Sequence, residues 1–255
     1  MSAPTLAIIA AGSMGAAVGR RLTTAGCTVL TNLDGRSAAT RARAVAAKMQ
    51  DAPLEEIARR ARWVLSILPP SEALAFAGRF RAVSDAAGAR TGVVFADCNA
   101  VSPETVRRIA GVFAGSAVRF VDAGIIGGPP REGYDPAFYA AADKADAGAL
   151  EEFAELAKWG LRVVPLTGEG AGVGDASALK MSYAGITKGI TGLCTAMILS
   201  AHASSPATAA GAPARAARLA ARDPAAHHAQ RTRDAPKGVP LGWGDGGDLC
   251  VCGSG

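Results

Sequence analysis

Aromatic residues are scarce in this chain, 5% of 255 residues, and its basic side chains are scattered rather than clustered. With neither a stacking platform nor a cationic stripe, no nucleic-acid partner is expected, even at a net charge of +5 and an isoelectric point near 9.1. Cysteines are few and odd in number: Cys27, Cys98, Cys194, Cys250 and Cys252. None has metal-ligand spacing, and Cys250-Val-Cys252 is at most half of a site with no second pair, so no metal is expected. No charged segment precedes the short apolar run near the N-terminus, which argues against a secretory leader and for a reducing, cytoplasmic setting. The apolar run from Ile186 to Ala201 is interrupted by Lys188, Gly189 and Gly192. It is too short to span a bilayer, so it is expected to be a buried helix with no membrane partner.

What is present is a hydrophobic content of 49%, enough for one large domain or for about 150 residues of core domain plus a second unit. The first 35 residues read as strand Thr5 to Ile9, turn, alanine-rich helix to Ala25, then strand Cys27 to Thr31. This is the opening of a dinucleotide-binding βαβ unit, with Ala10, Gly12, Ser13, Met14 and Gly15 as the candidate cofactor loop. Gly12 would let the backbone approach a pyrophosphate and Gly15 would let helix and strand pack closely, while the helix N-terminus offers amide donors to phosphate. Ala10 stands where the first glycine of the usual motif falls, so a tight turn without ligand is the competing reading. At the end of the second strand, Asn32, Arg36 and Ser37 favour the 2′-phosphate of NADP, with Arg41 and Arg43 on the helix that follows. Asp34 argues for NAD, or else caps the turn before Gly35.

The alternation continues with a helix from Leu54 to Arg62, a strand from Trp63 to Leu68, a helix near Ser71 to Arg79 and a strand from Gly92 to Asp97. Ser102-Pro103 starts another helix, and Arg119 to Ala123 forms another strand. This order predicts an α/β fold of the Rossmann type, a doubly wound parallel sheet over residues 1–166, whose strand ends converge on one ligand crevice. An all-helical domain is expected to start over residues 168–210, led by a long helix from Asp175 to His202. On that apolar helix, behind a glycine-rich entry, sits Lys180. A lysine that is even half-buried must be paired or shift its pKa, which suits it to proton transfer, whereas a surface lysine on a helix start is the alternative.

The order of motifs resembles the β-hydroxyacid dehydrogenase superfamily, which includes 6-phosphogluconate and 3-hydroxyisobutyrate dehydrogenases. The resemblance runs over about residues 5–205. It rests on Gly12-Ser-Met-Gly15, Ser66-Ile-Leu-Pro69, Asp97-Cys-Asn99-Ala100, Asp122-Ala-Gly-Ile-Ile-Gly127-Gly128 and Lys180-Met-Ser-Tyr-Ala-Gly185. It implies that Leu68, Pro69, Asn99 and Ala100 border the cofactor, that Gly127 and Gly128 present backbone donors to a substrate acid group, and that Lys180 is the general acid/base. The implied reaction is an NADP-dependent oxidation or reduction at the CH-OH group of a small hydroxy or oxo acid, with NAD as the other possible cofactor. This chain departs from the family pattern at Ile126, where serine is common, and at Ala184, where asparagine is usual. Tyr183 shares a helix face with Lys180 and either supplies a hydroxyl there as a second catalytic group or is a core tyrosine. The nearest subgroup consists of fungal and bacterial relatives with this lysine helix and a C-terminal domain of unassigned function.

After Ala210 the character changes to Arg/Ala/Pro/Gly-rich sequence without helical or strand period. Residues 211–255 are expected to be a disordered tail. Back-translated and shifted by one nucleotide, the segment can be read as a patterned helical continuation, so the tail looks out of frame and the helical domain truncated. A homodimer, implied by the resemblance for the full helical domain, is doubtful with that domain cut short. A non-catalytic NADP-binding remnant is then the alternative to an enzyme.

Overall fold

The computed structural model describes residues 3–88 and 92–204, so the expectations for the tail and for Cys250 and Cys252 lie outside the described residues. The chain divides into two compact units, Met1–Ile186 and Thr187–Gly255.

The first unit is built on an eight-stranded sheet. Its strands are β1 (Thr5–Ile9), β2 (Thr28–Thr31), β3 (Gln50–Asp51), β4 (Trp63–Ser66), β5 (Val94–Asp97), β6 (Arg119–Ile126), β7 (Ala137–Ala141) and β8 (Arg162–Pro165). Between them run α1 (Ser13–Thr24), α2 (Ala38–Ala46), α3 (Leu54–Arg60), α4 (Pro70–Ala87), α5 (Pro103–Val112) and α6 (Ala147–Ala154), and α7 (Asp175–Ser204) follows β8. The spatial order is β3-β2-β1-β4-β5-β6-β7-β8. From β3 to β6 all pairing is parallel, as the strand and helix alternation predicts. β7 is the exception: it runs antiparallel to β6 and parallel to β8. The ten-residue connection from β6 to β7 is too short for a crossover helix, so the chain turns back as a hairpin.

Buried apolar residues form two clusters, one on each face of the sheet, as a doubly wound fold requires. Successive strand residues alternate between them. Phe95 and Phe120 lie on one face with Phe76, Phe80 and Phe113, whereas Val94, Ala96 and Val121 lie on the other. Local signals place the helix starts: Ser37 and Ser102 accept the backbone N–H of Thr40 and Thr105 as N-caps, and Pro103 occupies the first turn of α5.

The long helix runs from Asp175 to Ser204, two residues beyond the expected end. Its first turn carries the buried Ala176 and Ser177. The expected burial of the run from Ile186 to Ala201 is not found: Ile186, Leu193, Met197 and Leu199 are 56–65% exposed. A predominantly apolar run marks a helix suited to burial, but burial also requires packing partners, which the run itself does not encode. By length and composition α7 is long and apolar enough to cross a bilayer, yet its first turn packs on the sheet instead.

Candidate active site

The order of strands reverses between β1 and β4, the point where doubly wound sheets take ligands at the carboxyl ends of their strands. Polar residues that are buried gather at those ends. Thr31, Ser66 and Asp97 are the last residues of β2, β4 and β5, Asp122 lies level with Asp97 in the middle of β6, and Asn99 and Ser177 join them from the β5 turn and from α7. The strands are in register there: Ile9 pairs with Ser66, Ser66 with Asp97 and Asp97 with Asp122.

The β1 to α1 loop has the geometry that a dinucleotide needs. Gly12 caps α1, and a side chain added at Gly12 would meet nothing within 4 Å, so the space over this backbone is open. At Gly15 a Cβ would lie 2.0 Å from the Ala10 carbonyl oxygen, so only glycine allows the helix to sit this close to the strand. The first turn of α1 has no acidic residue, and its leading N–H groups have no partner within the helix, which leaves dipole and donors available to a pyrophosphate. The Ala10 N–H donates to the Ile67 carbonyl at 3.1 Å, tying this loop to the Leu68-Pro69 turn after β4.

Asn99 is the staple of that turn. Its Oδ1 accepts the Leu68 N–H at 2.5 Å, and its Nδ2 donates to Ser66 Oγ at 2.9 Å and to Asp97 Oδ1. The side chain is therefore spent on holding Leu68, Pro69 and Ala100 in place. At the end of β2, Asn32 donates to Asp34 at 2.8 Å and to the Ala52 carbonyl at 3.2 Å, and Ser37 caps α2. Arg36 reaches Glu72 of α4 at 3.4 Å, and Arg41 donates to the Leu33 carbonyl at 2.6 Å. A cavity of about 820 Å³ lies along α1, lined by Ser13, Arg20, Arg43 and Arg131, and does not include Lys180.

Lys180 is half-buried and its Nζ donates to the Cys98 carbonyl at 3.4 Å, which places it over the β5 turn. Two features hold it there. Asp122 accepts the N–H groups of Gly174 and Ser177 at 3.0 Å each and the Ser177 hydroxyl at 2.8 Å, anchoring the first turn of α7 to β6. Gly124 lies on the same face two residues further along β6. A Cβ there would be 2.8 Å from the Ala176 carbonyl and 3.3 Å from Lys180 Cβ, so glycine lets the helix approach. Burial pulls the Lys180 pKa down, opposed by Cys98, Asp97 and Asp122. Burial pushes Asp122 up, with the Ser177 and Gly174 hydrogen bonds opposing. Asp97 is pushed up to about 7, chiefly by burial.

Tyr183 lies half-buried one turn beyond Lys180 on α7. Gly127 and Gly128 follow β6 in the hairpin to β7, and Gly128 N–H donates to the Tyr134 hydroxyl at 3.2 Å. Sequence reasoning missed Asp122, Ser177 and Gly124 as the supports of Lys180. The signal available was a charged residue inside an apolar strand, Phe120-Val-Asp122-Ala, with Gly124 two residues after the aspartate.

A doubly wound sheet with a glycine turn at its switch point defines an NAD(P)-binding fold of the oxidoreductase class. Residues 5–168 match the family model described as the NAD binding domain of 6-phosphogluconate dehydrogenase, and the chain belongs to that family. Among solved structures it is similar to a conserved protein of unknown function described as structurally similar to 3-hydroxyacid dehydrogenases. That match has 31% identity and a TM-score of 0.63, and covers 79% of this chain and 71% of the other. It also shares its fold with a 3-hydroxyisobutyrate dehydrogenase from Mycobacterium tuberculosis (21% identity, TM-score 0.59, 77% and 65% covered). An imine reductase from Pseudomonas sp. shares the fold too (20% identity, TM-score 0.60, 91% and 78% covered). The chain thus spans about two thirds of the length of the first two. No curated protein matches it.

Proposed function

We propose that this protein is an NADP-dependent dehydrogenase or reductase of a small hydroxy or oxo acid, with Lys180 as the general acid/base. The observation that carries this reading is a half-buried lysine amine at the carboxyl edge of the sheet, 3.4 Å from the Cys98 carbonyl on the turn that Asn99 staples to Leu68. The open backbone over Gly12 and the close packing at Gly15 fit a dinucleotide, held through Ala10, Gly12, Ser13, Met14 and Gly15, with Leu68, Pro69 and Ala100 beside it. The bound nicotinamide supplies hydride chemistry. Asn32, Arg36 and Ser37 are the groups for a 2′-phosphate, Arg36 exchanging its Glu72 partner for it.

The protein's own contribution is positioning and proton transfer. A lowered Lys180 pKa makes more neutral amine available to take the proton of a substrate hydroxyl, and the ammonium so formed can return it in the reverse direction. Gly127 and Gly128 would orient the acid group of the substrate, and Tyr183 would place a hydroxyl beside Lys180.

The test is Lys180→Ala. NADP binding, followed by thermal shift with NAD as the comparison, should be nearly unchanged, while turnover with a panel of hydroxy acids should disappear. Surviving turnover would remove Lys180 from the chemistry. A second reading is that the chain binds cofactor without turning over. The exposure of Ile186, Leu193, Met197 and Leu199 along α7 favours it, because loosening a supporting shell by about an ångström can cost on the order of a hundredfold in rate. NADP binding by the native chain with no turnover on any substrate of the panel would select it.

A further inference from the structure

Asp97 is not used in the reading above, yet its setting is the most unusual of any ionisable group in the described residues. It is 2% exposed, stands at the carboxyl end of β5, and faces Asp122 as its register partner on β6. Two buried carboxylates therefore lie side by side, with Lys180 as the cation both interact with. They are supported unequally. Asp122 receives three donors from the start of α7, whereas Asp97 receives only the Asn99 amide and, at 3.4 Å, the Asn99 N–H, both on Oδ1. Asp97 Oδ2 is buried with no hydrogen-bond partner.

A buried carboxylate oxygen with no donor is costly when charged and much less so when it belongs to a neutral carboxylic acid. Two carboxylates and one ammonium also leave one negative charge without a counterpart. Asp122, with three donors, is built to carry a charge. Asp97 is the one better suited to hold a proton, and the direction of its pKa agrees.

We propose that Asp97 is a positioning residue for Lys180 that sets its charge: below neutrality Asp97 carries a proton of its own, so that of the two carboxylates Asp122 alone holds the Lys180 ammonium, which then gives up its proton more readily. This rests on the reading of Lys180 as the acid/base. The proton on Asp97 comes from water, and it removes the negative charge that two carboxylates and one ammonium would leave over, which burial penalises. No direct bond between Asp97 and Lys180 is required, since they act on each other through charge. The other groups around the pair come from each packed element. They are Cys98 at the end of β5, Asp122 on β6, Asp175 on α7, Asp143 accepting the Val173 N–H at 2.9 Å, and Arg107 of α5 donating to the Val173 carbonyl at 3.2 Å. Asp122 raises the Asp97 pKa and Lys180 lowers it, so removing the lysine should raise it further.

The experiment is an infrared pH titration of the full chain, following the carbonyl band of a protonated, solvent-shielded carboxylic acid. In the native protein the band should be present below neutrality and disappear with a midpoint near about 7. In Lys180→Met the midpoint should move up by about one pH unit or more, because the neighbouring cation is gone. Asp97→Asn should lack the band, and where turnover is measurable, the pH at which Lys180 titrates in kcat/KM should fall, since the amide no longer stabilises the ammonium. A band absent at pH 6 in the native protein, or an unchanged midpoint in Lys180→Met, would overturn the proposal. The two variants remove different partners, so failure of Asp97→Asn to fold still leaves Lys180→Met decisive. The titration needs no substrate. The expected band shifts without turnover on any hydroxy acid would sink the proposed function and leave the Asp97 and Lys180 pairing standing.

Discussion

Strands β5 and β6 carry two different ladders on one face, only two residues apart. Phe95 and Phe120 are register partners with ring centroids 6.2 Å apart, joined by Phe76, Phe80 and Phe113. One pleat further toward the carboxyl ends, Asp97 and Asp122 are the register partners. The same backbone, the same pairing and nearly the same burial serve opposite ends. The aromatic ladder is covered by α4 and α5 and gains from every contact. The carboxylate ladder is buried at a cost and is met by the start of α7, a fixed set of donors and one lysine. The difference shows where this fold concentrates stability and where it gives some of it up.

The largest effect expected in either ladder is on rate. General acid/base groups contribute about 10²- to 10⁴-fold, so Lys180→Ala should lower kcat/KM by that order with the NADP dissociation constant unchanged, measured side by side on the two proteins. An equal loss of cofactor affinity would show that the lysine supports the cofactor site rather than the proton transfer. In the aromatic ladder, Phe95→Ala should cost about 3–5 kcal/mol of unfolding free energy in a denaturant titration, with cofactor affinity retained in the folded fraction. A loss below 1 kcal/mol would mean that Phe95 does not close the ladder.

Asp122→Ala leaves the Gly174 and Ser177 donors unmet, a loss of about 1–3 kcal/mol in stability. Its signature should be local: faster hydrogen exchange at the amides of residues 174–180 and a drop in turnover, while Phe95 and its neighbours stay protected. Uniformly faster exchange would deny the clamp. A further effect lies in the pH dependence of Asp97. Its carboxyl rises from an ordinary 3.8 to about 7 in the folded protein, so the folded state holds the proton more tightly than the unfolded one. The stability this contributes is complete below about pH 4 and is lost as pH rises through about 7. Asp97→Asn has no such proton. Melting temperatures measured from pH 4 to 8 should therefore fall in the native protein relative to the variant, and parallel curves would contradict the assignment.

Much of this was legible in the residue order. The start of β1, the Gly12 to Gly15 turn, the Ser102-Pro103 cap and the reach of α7 are local patterns, and local patterns report local backbone. The short β3, the antiparallel β7 and the edge strand β8 were not expected: β3 has two residues, too few to show a period, and β7 and β8 follow a hairpin that breaks the strand and helix alternation. In the site, Asn99 was expected beside a cofactor. Its side chain also ties its near neighbour Asp97 to Ser66 and Leu68, 33 and 31 residues away in the chain.

By itself the sequence determined the family and the alternation of strands and helices, and it offered the cofactor loop and the lysine as candidates, since each is a short motif contained in neighbouring residues. Only the tertiary structure decided which groups surround that lysine. Asp97, Asp122 and Ser177 meet because parallel strand register and the docking of α7 bring together positions 25 to 80 residues apart. A pairwise electrostatic environment depends on distance in space, which no local pattern of residues encodes.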